Sequence, residues 1–183
     1  MRYLSALTVV AVTLVATSSQ ASVVTIGGGF AASCYQSAKI QDVRSRAVEE
    51  CDRALSEEAL SGDDRVATFV NRGILHLRRQ NLKGATADFD SALRLNPRQP
   101  EAWLNKAVQQ VRFGKSADAL PLVTKALEYR TTKPALAYFV RAVAYEDSGN
   151  IAAAYRDLQR ARELEPDWQE PVIELRRFKV RQL

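Results

Sequence analysis

Three stretches of this chain repeat one pattern of small and bulky residues at spacings of 34 and 35 residues. Ala85, Phe89, Ala92 and Pro97 return as Ala119, Val123, Ala126 and Thr131, and again as Ala154, Leu158, Ala161 and Pro166. Upstream of each set lies a second match: Phe69 and Gly73, Trp103 and Ala107, Tyr138 and Ala142. A period in this range means one supersecondary unit stacked on copies of itself, with a continuous core between neighbours. Such stacks present extended surfaces suited to binding. The period predicts the architecture and the class of job, and it names no partner.

Each unit reads as a pair of helices. Over residues 64–80, Val66, Phe69, Val70, Ile74 and Leu77 fall at helical spacing, with Asp63 or Asp64 available as an N-cap. Residues 81–84 break the pattern, and a second helix runs from about residue 85 to 95, stopped by Asn96 and Pro97. The plan recurs over 101–113 and 116–129 around a turn at Gly114 and Lys115, then over 135–148 and 151–164 around Gly149 and Asn150. Small residues at positions 73, 107 and 142, and at 85, 119 and 154, let backbones approach closely, while Phe69, Trp103 and Tyr138 fill the space beside them.

These features resemble the tetratricopeptide repeat (TPR) family over residues 66–166, including the Asn-Arg-Gly sequence at Asn71, Arg72 and Gly73. The resemblance implies an all-α, right-handed solenoid of antiparallel helix pairs, with units at 66–99, 100–134 and 135–168. His76 and Gln110 stand where an aromatic is usual in the family, Val123 where one is common, and Thr131 where a proline is. Residues 30–60 look like a fourth, degenerate hairpin, in which Cys51 takes the place of Phe89 and Cys34 that of Arg72. Trp168, Val172, Leu175 and Phe178 form an apolar stripe on a last segment, 169–183, expected to cap the open end of the stack. Residues 30–183 are therefore read as a single helical domain.

The beginning of the chain reads as an export signal: Arg2, an apolar run of thirteen residues over 4–16, and a small-x-small site at Ser19, Gln20 and Ala21. Cleavage after Ala21 leaves a linker at 22–29. The run is shorter than the ~20 apolar residues of a membrane-spanning helix, so a chain without a transmembrane segment is expected, secreted across the inner membrane and periplasmic if the source is Gram-negative. An uncleaved anchor is the rival reading. Two cysteines in an exported chain read as a disulfide between Cys34 and Cys51, seventeen residues apart. Lipidation of Cys34 is the alternative, and it would leave Cys51 alone.

In the TPR family the stacked first helices line a concave groove that takes peptide segments. Carried over, this places Val70, Asn71, Ile74, Leu77 and Arg78 on the groove in the first unit. Leu104, Asn105, Val108, Val111 and Arg112 follow in the second, then Phe139, Val140, Val143, Glu146 and Asp147 in the third. Asn71 and Asn105 are candidates to bond a peptide backbone. A carboxylate clamp is not expected, since Ala67, Leu136 and Val140 stand where its basic set would be needed. The expected partner is another protein; a second copy of the chain, or the final helix, competes for the same surface.

Other functions find little footing. The formal net charge of +5 is mild and spread along the chain, which does not argue for nucleic acid. A single histidine, His76, leaves no second one to share a metal, and no nucleophile–base pair or phosphate loop is present. No cofactor and no enzymatic activity are expected. Arg72 with Asp88 and Arg141 with Asp157, each sixteen residues apart, are read as structural bridges within their hairpins. Arg176, Arg177, Lys179 and Arg181 make the end basic, so an accessory protein that binds an anionic envelope surface is a further rival.

Overall fold

The computed structural model describes residues 29–40 and 44–178. The signal segment 1–21, the linker up to residue 28, and Lys179 and Arg181 lie outside the described residues. Helices α1 (Phe30–Lys39) and α2 (Ser45–Glu57) form a first hairpin, followed by α3 (Gly62–Arg78) with α4 (Leu82–Leu95). Then come α5 (Pro100–Arg112) with α6 (Ser116–Glu128), α7 (Pro134–Asp147) with α8 (Ile151–Leu164), and a short α9 (Gln169–Leu175). Among the described residues every element is a helix, and each helix packs on its sequence neighbours, which makes an all-α solenoid of helix pairs.

Helices α3 and α4 begin earlier than hydrophobic periodicity predicts, because their caps are polar residues outside the apolar pattern. Ser61, not Asp63 or Asp64, caps α3: its Oγ accepts from the Asp64 N–H at 3.1 Å and donates to the Asp64 carboxylate at 2.7 Å. Asn81 caps α4 by accepting from the Gly84 N–H at 3.0 Å, so residues 82–84 form the first helical turn where an interruption was expected. Asn150 caps α8 in the same way through Ala153. Pro100 and Pro134 occupy the first turns of α5 and α7, where a missing N–H leaves no helical bond unmade.

One left-handed residue turns each of α3, α5 and α7 into its partner: Gln80 (φ 61°), Gly114 (φ 71°) and Gly149 (φ 78°) share a register. Each is bracketed by the same closing bond, from Asn81 to His76 O, Lys115 to Gln110 O and Asn150 to Tyr145 O. The middle unit also ends this way. Arg130 adopts φ 60°, Thr131 donates its N–H to Ala126 O at 2.9 Å, and Glu101 accepts from Thr132 N–H at 2.8 Å. Thr131 thus replaces a proline stop with a different termination rather than with a defect.

The core follows the small-residue pattern. Ala85, Ala92, Ala107, Ala119, Ala126, Ala154 and Ala161 are fully buried, and Phe89 is buried against Gly73. A Cβ on Gly73 would lie 2.5 Å from the Phe89 ring, so glycine here makes room for that ring. Cys34 and Cys51 are joined in a disulfide with Cα atoms 4.8 Å apart, and both are fully buried beside Leu75 of α3. In the first hairpin the bridge occupies the interior position that Phe89 holds in the next. Backbone N–H groups of Phe30 and Ala31 donate to Glu58, tying the start of α1 to the residue after α2.

Candidate peptide-binding groove

The first helices of successive hairpins touch one another, α1 with α3, α3 with α5 and α5 with α7. Consecutive second helices show no comparable packing among the described residues. The first helices therefore occupy the inner side of the curve. Helical period then stacks equivalent residues into ladders across it: Asn71, Asn105 and Val140; Ile74, Val108 and Val143; Leu77, Val111 and Glu146; Arg78, Arg112 and Asp147.

The structure removes several of these from a ligand's reach. Val70, Leu77 and Leu104 are 4%, 4% and 2% exposed, and Val140 is likewise buried; these side chains are core, because neighbouring helices close over them. Phe139 packs its ring on Trp168, with centroids 4.9 Å apart, so the residue before α9 covers it. Arg78 turns toward the first hairpin and donates to the Ala38 carbonyl, a cation at the negative end of α1. Burial there pushes the Arg78 pKa below its ordinary value. Asn105 Nδ2 donates to Glu101 O in its own helix at 2.8 Å.

Asn71, Ile74, Val108, Val111, Arg112 and Val143 remain. Ile74, Val108, Val111 and Val143 are half-buried and form a shallow apolar strip, with Ile74 and Val108 in one cluster. Asn71 is half-buried and its side chain makes no hydrogen bond among the described residues. Arg112 is exposed at the margin, where Asp147 also lies exposed in the third unit.

The buried charges nearby are satisfied internally. Arg72 holds both oxygens of Asp88, at 2.9 and 2.6 Å, and reaches Asp52 of α2 at 2.6 Å. Burial works against its charge, but the hydrogen bonds and attraction of the two aspartates outweigh this and raise its pKa. Arg141 holds Asp157 at 2.6 and 2.9 Å, a hydrogen-bonded pair that likewise raises the arginine pKa. Both predicted bridges are present, and they belong to the scaffold.

A third pair, Lys106 with Asp90 at 2.5 Å, has the same sixteen-residue separation with the order of charges reversed. The sequence signal for it was that separation, read in the other direction. Each conserved-register aromatic also carries a cation: Arg72 lies 5.6 Å from the Phe69 ring, Lys125 4.3 Å from Trp103 and Arg141 5.2 Å from Tyr138. His76 is half-buried, and burial pushes its pKa below the ordinary histidine value. Its Nδ1 lies 3.2 Å from Asn81 Nδ2, where a neutral ring accepts a hydrogen bond. Among the described residues no group of three or more His, Cys, Asp or Glu is placed to hold a metal ion, and no helix is long and apolar enough to cross a membrane.

Solved structures that resemble this chain include three of the protein MamA. A MamA RS-1 double mutant aligns over 81% of this chain and 82% of its own, with 19% identity and a TM-score of 0.63. MamA from residue 41 onward, from Desulfovibrio magneticus RS-1, gives 18% identity and 0.63 over the same shares. MamA AMB-1 gives 18% and 0.61 over 80% of this chain and 76% of its own. Likeness at this identity concerns the fold: four-fifths of the chain follows the same helical path. No family model and no curated protein matches the sequence.

Proposed function

We propose that this chain is an exported protein-interaction scaffold that holds a peptide segment of a partner protein on its inner face. The observation that carries the reading is the strip of Ile74, Val108, Val111 and Val143 beside an Asn71 amide that makes no hydrogen bond among the described residues. Half-buried apolar groups in a row supply affinity without direction, and a free carboxamide, with donors and acceptor together, fixes a peptide backbone. Among the asparagines Asn71 carries this role, since Asn105 already bonds its own helix. Arg112 at the margin selects for an acidic residue at one end of the segment. Export is supported by the apolar leader and by the buried Cys34–Cys51 bridge, a bond that persists in oxidising compartments.

Cross-linked affinity capture from intact cells tests this, comparing the wild type with Asn71→Ala/Arg112→Glu after thermal melts show both are folded. A protein captured by the wild type and lost from the variant supports the scaffold reading. If the captured species is the chain itself, and light scattering shows a mass that rises with concentration, the groove closes a homodimer. Identical captures overturn the groove. Amino-terminal sequencing of the mature protein checks export, with Ser22 as the expected first residue.

A further inference from the structure

His76, Gln110 and Tyr145 occupy one register on α3, α5 and α7, and the middle residue alone lacks a ring. In the third unit the Tyr145 ring lies 5.8 Å from the Arg141 guanidinium, and in the first the His76 ring meets the Asn81 amide at 3.2 Å. At Gln110 the side chain is half-buried and its amide makes no hydrogen bond among the described residues. A cleft of about 640 Å³ opens there between α4 and α5, in the size range of ligand sites. Leu82, Ala87 and Phe113 give it apolar walls, and Phe113 is 42% exposed. One wall is pinned, because Gln109 Nε2 donates to Thr86 Oγ1 at 2.8 Å and to Leu82 O at 3.3 Å.

The charge of the cleft that is left without an ion pair among the described residues is positive. Lys83 and Lys115 line it, both are exposed, and neither forms an ion pair among the described residues. Its one acid, Asp90, is paired with Lys106. We propose that this cleft is a second docking site, which receives an aromatic side chain carried on an acidic peptide segment of a partner protein. The ring enters beside Gln110 and packs against Phe113, at the register where the third unit carries the Tyr145 ring. The Gln110 amide bonds the segment's backbone, and its carboxylates meet Lys83 and Lys115. The site is independent of the inner groove: Gln110 lies two positions from Val108, about 160° around the helix.

The test is a fluorescence-anisotropy titration of the whole chain with a fluorescein-labelled peptide, Glu-Asp-Tyr-Glu-Asp, at low salt. Controls replace its tyrosine by alanine or its acids by lysine. Saturable binding is expected, weakened at least tenfold by either control peptide and by raising the salt, since the steering charges are exposed. Gln110→Tyr, which fills the cleft from within, and Lys83→Glu/Lys115→Glu each weaken it at least tenfold, while Asn71→Ala leaves it unchanged. The lysine variant alters exposed positions only and decides the matter if Gln110→Tyr does not fold. Absence of saturable binding to the wild type overturns the proposal, as does undiminished binding by a folded Gln110→Tyr, by Lys83→Glu/Lys115→Glu or by the tyrosine-free peptide.

Discussion

Lys106 reaches back across the seam between two hairpins to Asp90, with 2.5 Å between its ammonium and the carboxylate. Asp90 stands at the register of Asp52 in the preceding hairpin, and Arg72 makes the equivalent reach to Asp52 at 2.6 Å. A second acidic register, Asp88 and Asp157, binds the cation from within its own hairpin. Arg72 uses both registers, Lys106 only the seam and Arg141 only the hairpin, because Leu122 and Thr124 replace the missing acids. One cation position per unit thus serves two different joints.

The two joints differ in cost. The Asp88 side chain is 5% exposed and that of Asp90 41%. Arg72→Ala strands a buried carboxylate and is expected to lower stability by about 3 kcal/mol or more. Lys106→Ala removes a half-solvated pair and should cost less than about 1 kcal/mol. Urea unfolding of both variants decides this, and equal losses would mean the burial of Asp88 is immaterial.

Gly73→Ala is expected to destabilise by about 1–3 kcal/mol, since the new methyl meets the Phe89 ring at 2.5 Å. Combined with Phe89→Leu, which withdraws the ring edge, the cost of the alanine should shrink. Additive losses in the double variant would contradict the contact.

Gln80 is in the left-handed conformation that Gly114 and Gly149 occupy at the equivalent turns. Gln80→Gly relieves the clash of its Cβ with the backbone and should raise stability by up to about 1 kcal/mol, net of the greater entropy of glycine in the unfolded chain. A thermal melt that moves down instead would show that the Gln80 side chain contributes more than its strain removes.

His76 is the chain's one histidine, and burial holds its pKa below the ordinary value, with Asp88 opposing the shift. The unfolded chain thus binds the proton more readily. The stability that the neutral ring contributes is complete above its unfolded pKa of about 6.5 and is lost as pH falls through the lower folded value. The urea midpoint should therefore drop between about pH 7.5 and 5.5 in the wild type and stay flatter in His76→Tyr. Parallel pH profiles for the two proteins would refute the shift.

Reduction of the Cys34–Cys51 bridge is expected to cost roughly 3 kcal/mol, the scale for closing a loop of this size. The loss should concentrate in α1 and α2, seen as faster amide exchange there while α5 to α8 keep their protection. A count of reactive thiols on the denatured, unreduced protein should be zero.

The solenoid was legible from spacing alone, because Ala85, Ala119 and Ala154 and their neighbours can recur at 34 and 35 residues only if one packing geometry recurs. The helix starts were less so, since Ser61 and Asn81 cap from outside the apolar pattern. The inner face was legible in position and not in which of its side chains stay exposed. Period assigns Val70, Leu77 and Leu104 to the inner helices but says nothing of how closely the next helix covers them. The destination of Arg78 depends on the packing of α1 against α3, which no repeat spacing encodes. Gln110 stood out as a departure from pattern, and it took the surrounding walls to show the cleft beside it.

The seventeen-residue separation of Cys34 and Cys51 has a consequence for biogenesis. With two cysteines in the chain there is one intramolecular pairing, so oxidation has no scrambled isomers to sort and needs no disulfide isomerase. Both partners precede every later hairpin in the chain. The bridge can therefore close before the later hairpins have folded, giving α3 a finished template on which to dock and making amino-to-carboxyl order the natural direction of assembly.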